Sequence, residues 1–125
     1  MSFGLTFDTG ALIAIERRRQ RMARIYTTAV ADGLLVTAPA VVLTEWWRGR
    51  SDAAETLLRG LRIELVDAEL AKLAGEALAA IQGATAIDAI VMASAARRGD
   101  VVYTSDVDDL ARLREFFPGV RVLGV

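Results

Sequence analysis

The chain has 125 residues, 54% of them hydrophobic and 25% charged, and a formal net charge of −1, which suits one domain with a substantial core. It contains neither cysteine nor histidine, so disulfides, thiolate nucleophiles, Cys- or His-ligated zinc and Ser-His-Asp chemistry are excluded. Catalysis would have to rest on carboxylates, hydroxyls, arginine, the single lysine Lys72 or a bound metal.

The opening MSFGLTFDTG lacks the basic region and long apolar core of a signal peptide, and no apolar run approaches the ~20 residues that span a bilayer. A soluble, cytoplasmic protein is expected. The first strand is Leu5–Phe7, ending at Asp8, and Gly10 turns the chain into a helix. In an open parallel sheet, ligands gather outside the carboxyl ends of the strands, where Asp8 would lie. Asp8-Thr9-Gly10 also matches the Asp-Thr-Gly of aspartic proteases, with Val122-Leu123-Gly124 as a superficial apolar-apolar-Gly partner. Those enzymes are all-β, whereas the sequence here continues as Ala/Leu/Ile/Arg-rich helix. The tripeptide is therefore set aside.

Ala11, Leu12, Ile15, Met22, Ile25 and Tyr26 give a broken helical stripe, interleaved with Arg17, Arg18, Arg19, Arg21 and Arg24. Arginine forks bidentately onto phosphate, although a basic run on a helix is more often a solvated face. Asp32-Gly33 signals a turn, a short buried strand is expected at residues 34–36, and Pro39 suits the first turn of the next helix. That helix carries Ala40, Leu43, Thr44 and Trp47 at i, i+3, i+4 and i+7 and ends near Gly49. Glu45 is the only charge between Asp32 and Arg48. A buried carboxylate costs several kcal/mol unless paired or bound to a metal. The plain alternative is a part-exposed Glu45 paired with Arg48 or another arginine. Trp46 and Trp47 point about 100° apart, which predicts one core residue and one partly exposed.

Asp52 and Glu55 form a capping pattern for a short helix closed by Gly60. A third strand is expected at residues 63–66, and Asp67 caps a helix over residues 68–81. Gln82-Gly83-Ala84 is a loop. Thr85-Ala86-Ile87-Asp88 has the form of a capping box, opening a helix whose inner face is Ile87, Ile90, Val91, Ser94 and Ala95 and which Gly99 stops. Capping alone would account for Asp88, yet the same geometry leaves its carboxylate free to face a cleft. Val101–Thr104 is a strand, residues 106–116 are helical with Ser105 or Asp106 as cap and Asp108 and Asp109 in the first turn, and Pro118-Gly119 leads to a last strand at 120–123. Alternating strands and helices imply right-handed βαβ units. The expected fold class is α/β: one three-layer α/β/α domain over residues 1–125, with a central, mainly parallel sheet.

Gathering several carboxylates in one cleft is unfavourable without a counter-charge. Mg²⁺ or Mn²⁺ would supply it, because both prefer oxygen ligands and both activate water for attack on phosphorus. The pattern of Asp8 at a strand end, Glu45 in a helix, the segment Ala86-Ile87-Asp88-Ala89-Ile90-Val91-Met92-Ala93-Ser94-Ala95, and Thr104-Ser105-Asp106 resembles the PIN-domain family. In size it is most similar to the VapC toxins of bacterial VapBC toxin–antitoxin pairs. The resemblance implies a metal-dependent endoribonuclease toxin that hydrolyses RNA phosphodiester bonds with a metal-bound water. Asp8, Glu45, Asp88 and Asp106 match the family's acidic positions as catalytic and metal residues, and Asp109 matches a less regular additional acid. Thr104 matches the hydroxyl residue beside the fourth acid. The family often has Ser or Thr two residues after the first Asp, and here Gly10 stands there, with Thr9 as a partial substitute.

The resemblance also implies an RNA substrate, a cognate VapB-like antitoxin and a homodimer; the partner surface is expected near Trp46 or Trp47, with no membrane involvement. Two rivals stand beside this reading. One is a PIN-like binding or regulatory module with weakened catalysis, for which Gly10 is the best support. The other is a phosphoacceptor receiver domain, which would call for an early acidic pair and a late lysine, whereas Lys72 is mid-chain.

Overall fold

The computed structural model of the protein describes residues 3–49 and 51–125. Strands β1 (Leu5–Phe7), β2 (Val36–Pro39), β3 (Arg62–Glu64), β4 (Val101–Thr104) and β5 (Arg121–Gly124) form one sheet in the order β3-β2-β1-β4-β5, with every pairing parallel. β1 and β2 are buried along their whole length, as the apolar runs of a sheet covered on both faces require. The helices are α1 (Thr9–Glu16), α2 (Gln20–Ala31), α3 (Ala40–Trp46), α4 (Asp52–Gly60), α5 (Ala68–Ala80), α6 (Ala86–Arg98) and α7 (Val107–Arg112), the last running into a 3₁₀ turn at Leu113–Glu115.

Successive strand residues face opposite ways. Phe7 meets Tyr26 of α2 on one face of the sheet, and Thr6 meets Arg98 of α6 on the other. α1 packs with α2, α3 and α4, whereas α6 packs with α5 and α7. The three-layer α/β/α architecture is therefore the one the sequence pattern implies, and the sheet is wholly parallel among the described residues.

Local details differ from the sequence expectations for identifiable reasons. The broken stripe near the N-terminus is two helices. α1 closes with Arg18 at φ 57°, and the N–H groups of Arg18 and Arg19 donate to Ile15 O and Ala14 O, each at 2.9 Å. This is a Schellman closure made with an arginine in the left-handed region where glycine is usual. The second strand lies two to three residues later than expected, at Val36–Pro39, and Leu35 is 58% exposed. Pro39 ends that strand and is the N-cap of α3 rather than a first-turn residue; its φ of −61° suits the extended conformation equally well.

α3 buries Val42 and Trp46, not the Ala40/Leu43/Thr44/Trp47 stripe, because this short helix packs against α1 and β2 along a narrow face. Ser51, not Asp52, caps α4 by accepting from Ala54 N–H at 3.1 Å. α6 buries Ala89 and Val91–Ala95 almost continuously, because it lies between sheet, α5 and α7. Asp67, Thr85 and Gly99 perform the expected capping and stopping roles.

Candidate functional site

In the strand order β3-β2-β1-β4-β5, the chain leaves β1 toward β2 on one side and later returns to β4 on the other. The carboxyl ends of β1 and β4 thus flank a topological switch point, where an open α/β sheet leaves a crevice. Asp8 follows β1 directly, and Asp106 lies two residues beyond β4. α6 begins at the same edge with Asp88 in its first turn, and α3 carries Glu45. Asp8, Glu45, Asp88, Asp106 and Asp109 all line one cavity of about 530 Å³.

Asp8 is 6% exposed and both of its oxygens are used. One accepts from Ala11 N–H at 3.1 Å, which makes Asp8 the N-cap of α1, and the other accepts from the Thr104 hydroxyl. Thr104 Oγ1 in turn accepts from Asp106 N–H at 2.8 Å, so one buried hydroxyl ties the ends of β1 and β4 together. Burial is the largest influence on the Asp8 carboxyl and pushes it up to about 6, against the two hydrogen bonds and with added repulsion from Asp106 and Asp88. Asp88 is also held above its ordinary range, first by burial, then by the charges of Asp106, Asp109 and Glu45. Asp8 and Asp88 thus both feel the neighbouring acids.

Glu45 is exposed and tied to α1 by the Thr9 hydroxyl, which donates to Oε1 at 2.7 Å. Thr9 is therefore committed to Glu45. Asp109 pairs with Arg112 at 3.3 Å, and the same guanidinium reaches Gln82 O and Gly83 O at 3.5 and 3.4 Å. Neither Ser105 nor Asp106 caps α7 through its side chain, so the Asp106 carboxylate is not spent on the helix.

The charged ligand atoms on offer are all carboxylate oxygens, the donor class of hard divalent cations. Among the described residues no three acidic side chains stand together as a ready-made ligand set. Mg²⁺ keeps most of its waters and is commonly held by only one or two carboxylates plus substrate phosphate, so the donor set fits it in kind. The mutual repulsion of Asp8, Asp88 and Asp106 is the charge such an ion would neutralise.

Arg17, Arg18, Arg19, Arg21 and Arg24 are all exposed. Arg17 and Arg48 line a second cavity, of about 770 Å³, which shares Thr9, Ile13 and Glu45 with the acidic one. Trp46 is 4% exposed and its Nε1–H donates to Glu16 at 3.0 Å, while Trp47 is half-buried against it. One core and one partly exposed tryptophan is the expected pair, but Trp46 itself offers no surface to a partner.

The sequence gives no signal for two features. One is the Thr9–Glu45 bond, which depends on how α1 and α3 cross. The other is a buried polar layer under α6, where Arg98 bridges Asp100 and Glu64.

No protein-family profile matches the sequence, and no curated protein does either. Solved structures do. The chain is similar to one in the crystal structure of VapBC2 from Rickettsia felis bound to a promoter DNA fragment, with a TM-score of 0.78 and 13% identity over 97% of this chain and 98% of that one. It is also similar to one in DNA-bound VapBC from Salmonella typhimurium, at TM-score 0.73 and 18% identity over 98% of each chain. A third likeness is to FitAcB from Neisseria gonorrhoeae, at TM-score 0.60 and 19% identity over 95% and 96%. At such identities the likeness establishes a shared fold along the full length of the chain.

Proposed function

We propose that the protein is a metal-dependent endoribonuclease of the PIN-domain type, the toxin of a toxin–antitoxin pair. The observation that carries this reading is the gathering of Asp8, Glu45, Asp88, Asp106 and Asp109 around one cavity at the carboxyl ends of parallel strands. It is supported by the fold shared with chains of VapBC structures and by the residue pattern that resembles the PIN domain. A divalent cation bound among these acids, Mg²⁺ or Mn²⁺, would lower the pKa of the attacking water and neutralise charge developing on phosphorus. Asp8 and Asp106, fixed relative to each other through Thr104, would hold it, with Glu45, Asp88 and Asp109 acting directly or through water.

The chain's own residues do the rest. Thr9 keeps Glu45 turned toward the site. Arg17 and Arg48, in the cavity that adjoins the acids, take the phosphates that flank the reacting one, where bidentate arginine contacts offset backbone charge. An antitoxin and a second copy of the chain are the proposed partners. Trp47, half-buried at the end of α3, marks the surface they would cover.

Asp8→Asn tests the mechanism, since it keeps the shape of the side chain and removes its charge. RNA cleavage in manganese should fall by roughly 10³-fold or more, as for loss of a group that acts on the transition state, while the far-ultraviolet circular dichroism stays that of the parent. A variant that cleaves as fast as the parent would refute the reading and leave the weakened binding module in its place. Light scattering at high concentration tests association, and a monomer there removes the homodimer.

A further inference from the structure

Gly10 and Ser105 compete for one volume. Gly10 lies in the first turn of α1, and a Cβ placed on it would stand 2.1 Å from Ser105 Oγ and 2.6 Å from Ser105 Cβ. Both separations are shorter than real Cβ contacts allow, so the Ser105 side chain fills the space that a side chain at position 10 would take. It does so inside the acidic cavity, which Gly10 and Ser105 line together with Asp8 and Asp106.

Three hydroxyls line that cavity: Thr9, Thr85 and Ser105. Thr9 donates to Glu45 at 2.7 Å. Thr85 accepts from Asp88 N–H at 3.2 Å. Ser105 makes no side-chain hydrogen bond with any described residue. The neighbouring carboxylates, once ionised, only accept. A phosphodiester entering among these carboxylates gains from a donor, and the hydroxyl of Ser105, exposed in the cavity, is not bonded to any described residue.

We propose that the Ser105 hydroxyl is the hydrogen-bond donor that grips a non-bridging oxygen of the RNA phosphodiester, and that the bare backbone of Gly10 is what admits it. This assignment rests on the nuclease reading and adds to it a substrate-binding residue supplied from the loop after β4. The hydroxyl that α1 lacks at position 10 is delivered from the opposite wall.

The test uses the full chain, manganese and a labelled single-stranded RNA of random sequence. Ser105→Ala should raise KM roughly tenfold with kcat little changed, the pattern for loss of one hydrogen bond to a charged group made equally in ground and transition states. Its manganese-induced rise in melting temperature should equal the parent's, because the acids are untouched. Two double variants separate chemistry from packing. Gly10→Ser with Ser105→Gly moves the hydroxyl across the contact and should return KM close to the parent value. Gly10→Ala with Ser105→Gly refills the space without a hydroxyl and should keep the raised KM. The proposal is overturned if Ser105→Ala has the parent KM, or if the two double variants recover equally, which would make the contact one of packing alone. A parent that neither gains stability from manganese nor cleaves RNA removes the nuclease reading, and the Ser105 assignment with it; a parent that does both while Ser105→Ala is unaffected removes only the assignment.

Discussion

Asp8 shows what a single residue contributes before any ligand arrives. Its carboxyl is buried, hydrogen-bonded on both oxygens and titrates at about 6 in the folded chain against 3.8 ordinarily. The folded state therefore holds this proton more tightly than the unfolded state does. The resulting stabilisation is complete below pH 3.8 and is lost as pH rises through about 6. By that shift the ionised side chain costs the metal-free fold about 3 kcal/mol at neutral pH. Asp8→Asn carries no such charge. Thermal melts without metal should find the two proteins nearly matched near pH 4 and the variant several degrees more stable near pH 7.5. A parent-to-variant difference that does not change across that range would show that the charge of Asp8 is already compensated.

Elements are held by contacts that span them. α6 ends in Arg97 and Arg98, two basic residues in its last turn before the Gly99 stop. In the fold, Arg98 turns under the sheet: Nη1 meets Glu64 Oε2 of β3 at 2.5 Å, Nε meets Asp100 Oδ2 at 2.9 Å, and Nη2 reaches Thr6 Oγ1 of β1 at 2.8 Å. Asp100 is 3% exposed and also accepts from Gly4 N–H and the Thr6 hydroxyl. One guanidinium thus joins α6, β1, β3 and the start of β4. Arg98→Ala would leave the Asp100 carboxylate buried with no cation beside it and Glu64 with Arg97 alone at 3.5 Å, and chemical denaturation should show a loss of about 3 kcal/mol. The closure of α1 works in the opposite direction. Arg18 holds a left-handed conformation that costs an L-residue roughly 1 kcal/mol, so Arg18→Gly should leave stability equal or raised by up to about that amount. The same measurement would expose an error if Arg18→Gly lost stability, since that would mean the arginine side chain makes a compensating contact.

At the scale of the whole molecule, folding brings together acids that are dispersed in the unfolded chain. A cation that binds only the folded state adds RT ln(1 + [L]/Kd), about 2.7 kcal/mol at a hundred times Kd. For a domain of this size that corresponds to a rise of several degrees in Tm. Saturating manganese should stabilise the parent by such an amount and Asp8→Asn much less. Identical melts with and without manganese for both proteins would end the metal hypothesis.

The sequence by itself determined the fold class, because hydrophobic runs bounded by turn residues and alternating with 3.6-period stripes admit few arrangements besides parallel βαβ units. It also determined several helix ends, since Asp67, Thr85 and Gly99 act through their own backbone neighbourhoods. It singled out Asp8, Asp88 and Asp106 because acids at strand ends and helix starts are conspicuous in an apolar chain, Glu45 as the lone charge in an apolar run, and Asp109 through the resemblance to the PIN domain. That they line one cavity was decided only by the tertiary structure, through the strand order that makes β1 and β4 neighbours. The register of β2, the face that α3 buries, the commitment of Thr9 to Glu45 and the layer around Arg98 were likewise settled there. The packing of Ser105 into the space above Gly10 belongs with them, since it joins positions 95 residues apart. Each of these is a contact between segments remote in sequence, and local propensity carries no information about which surface a segment will meet.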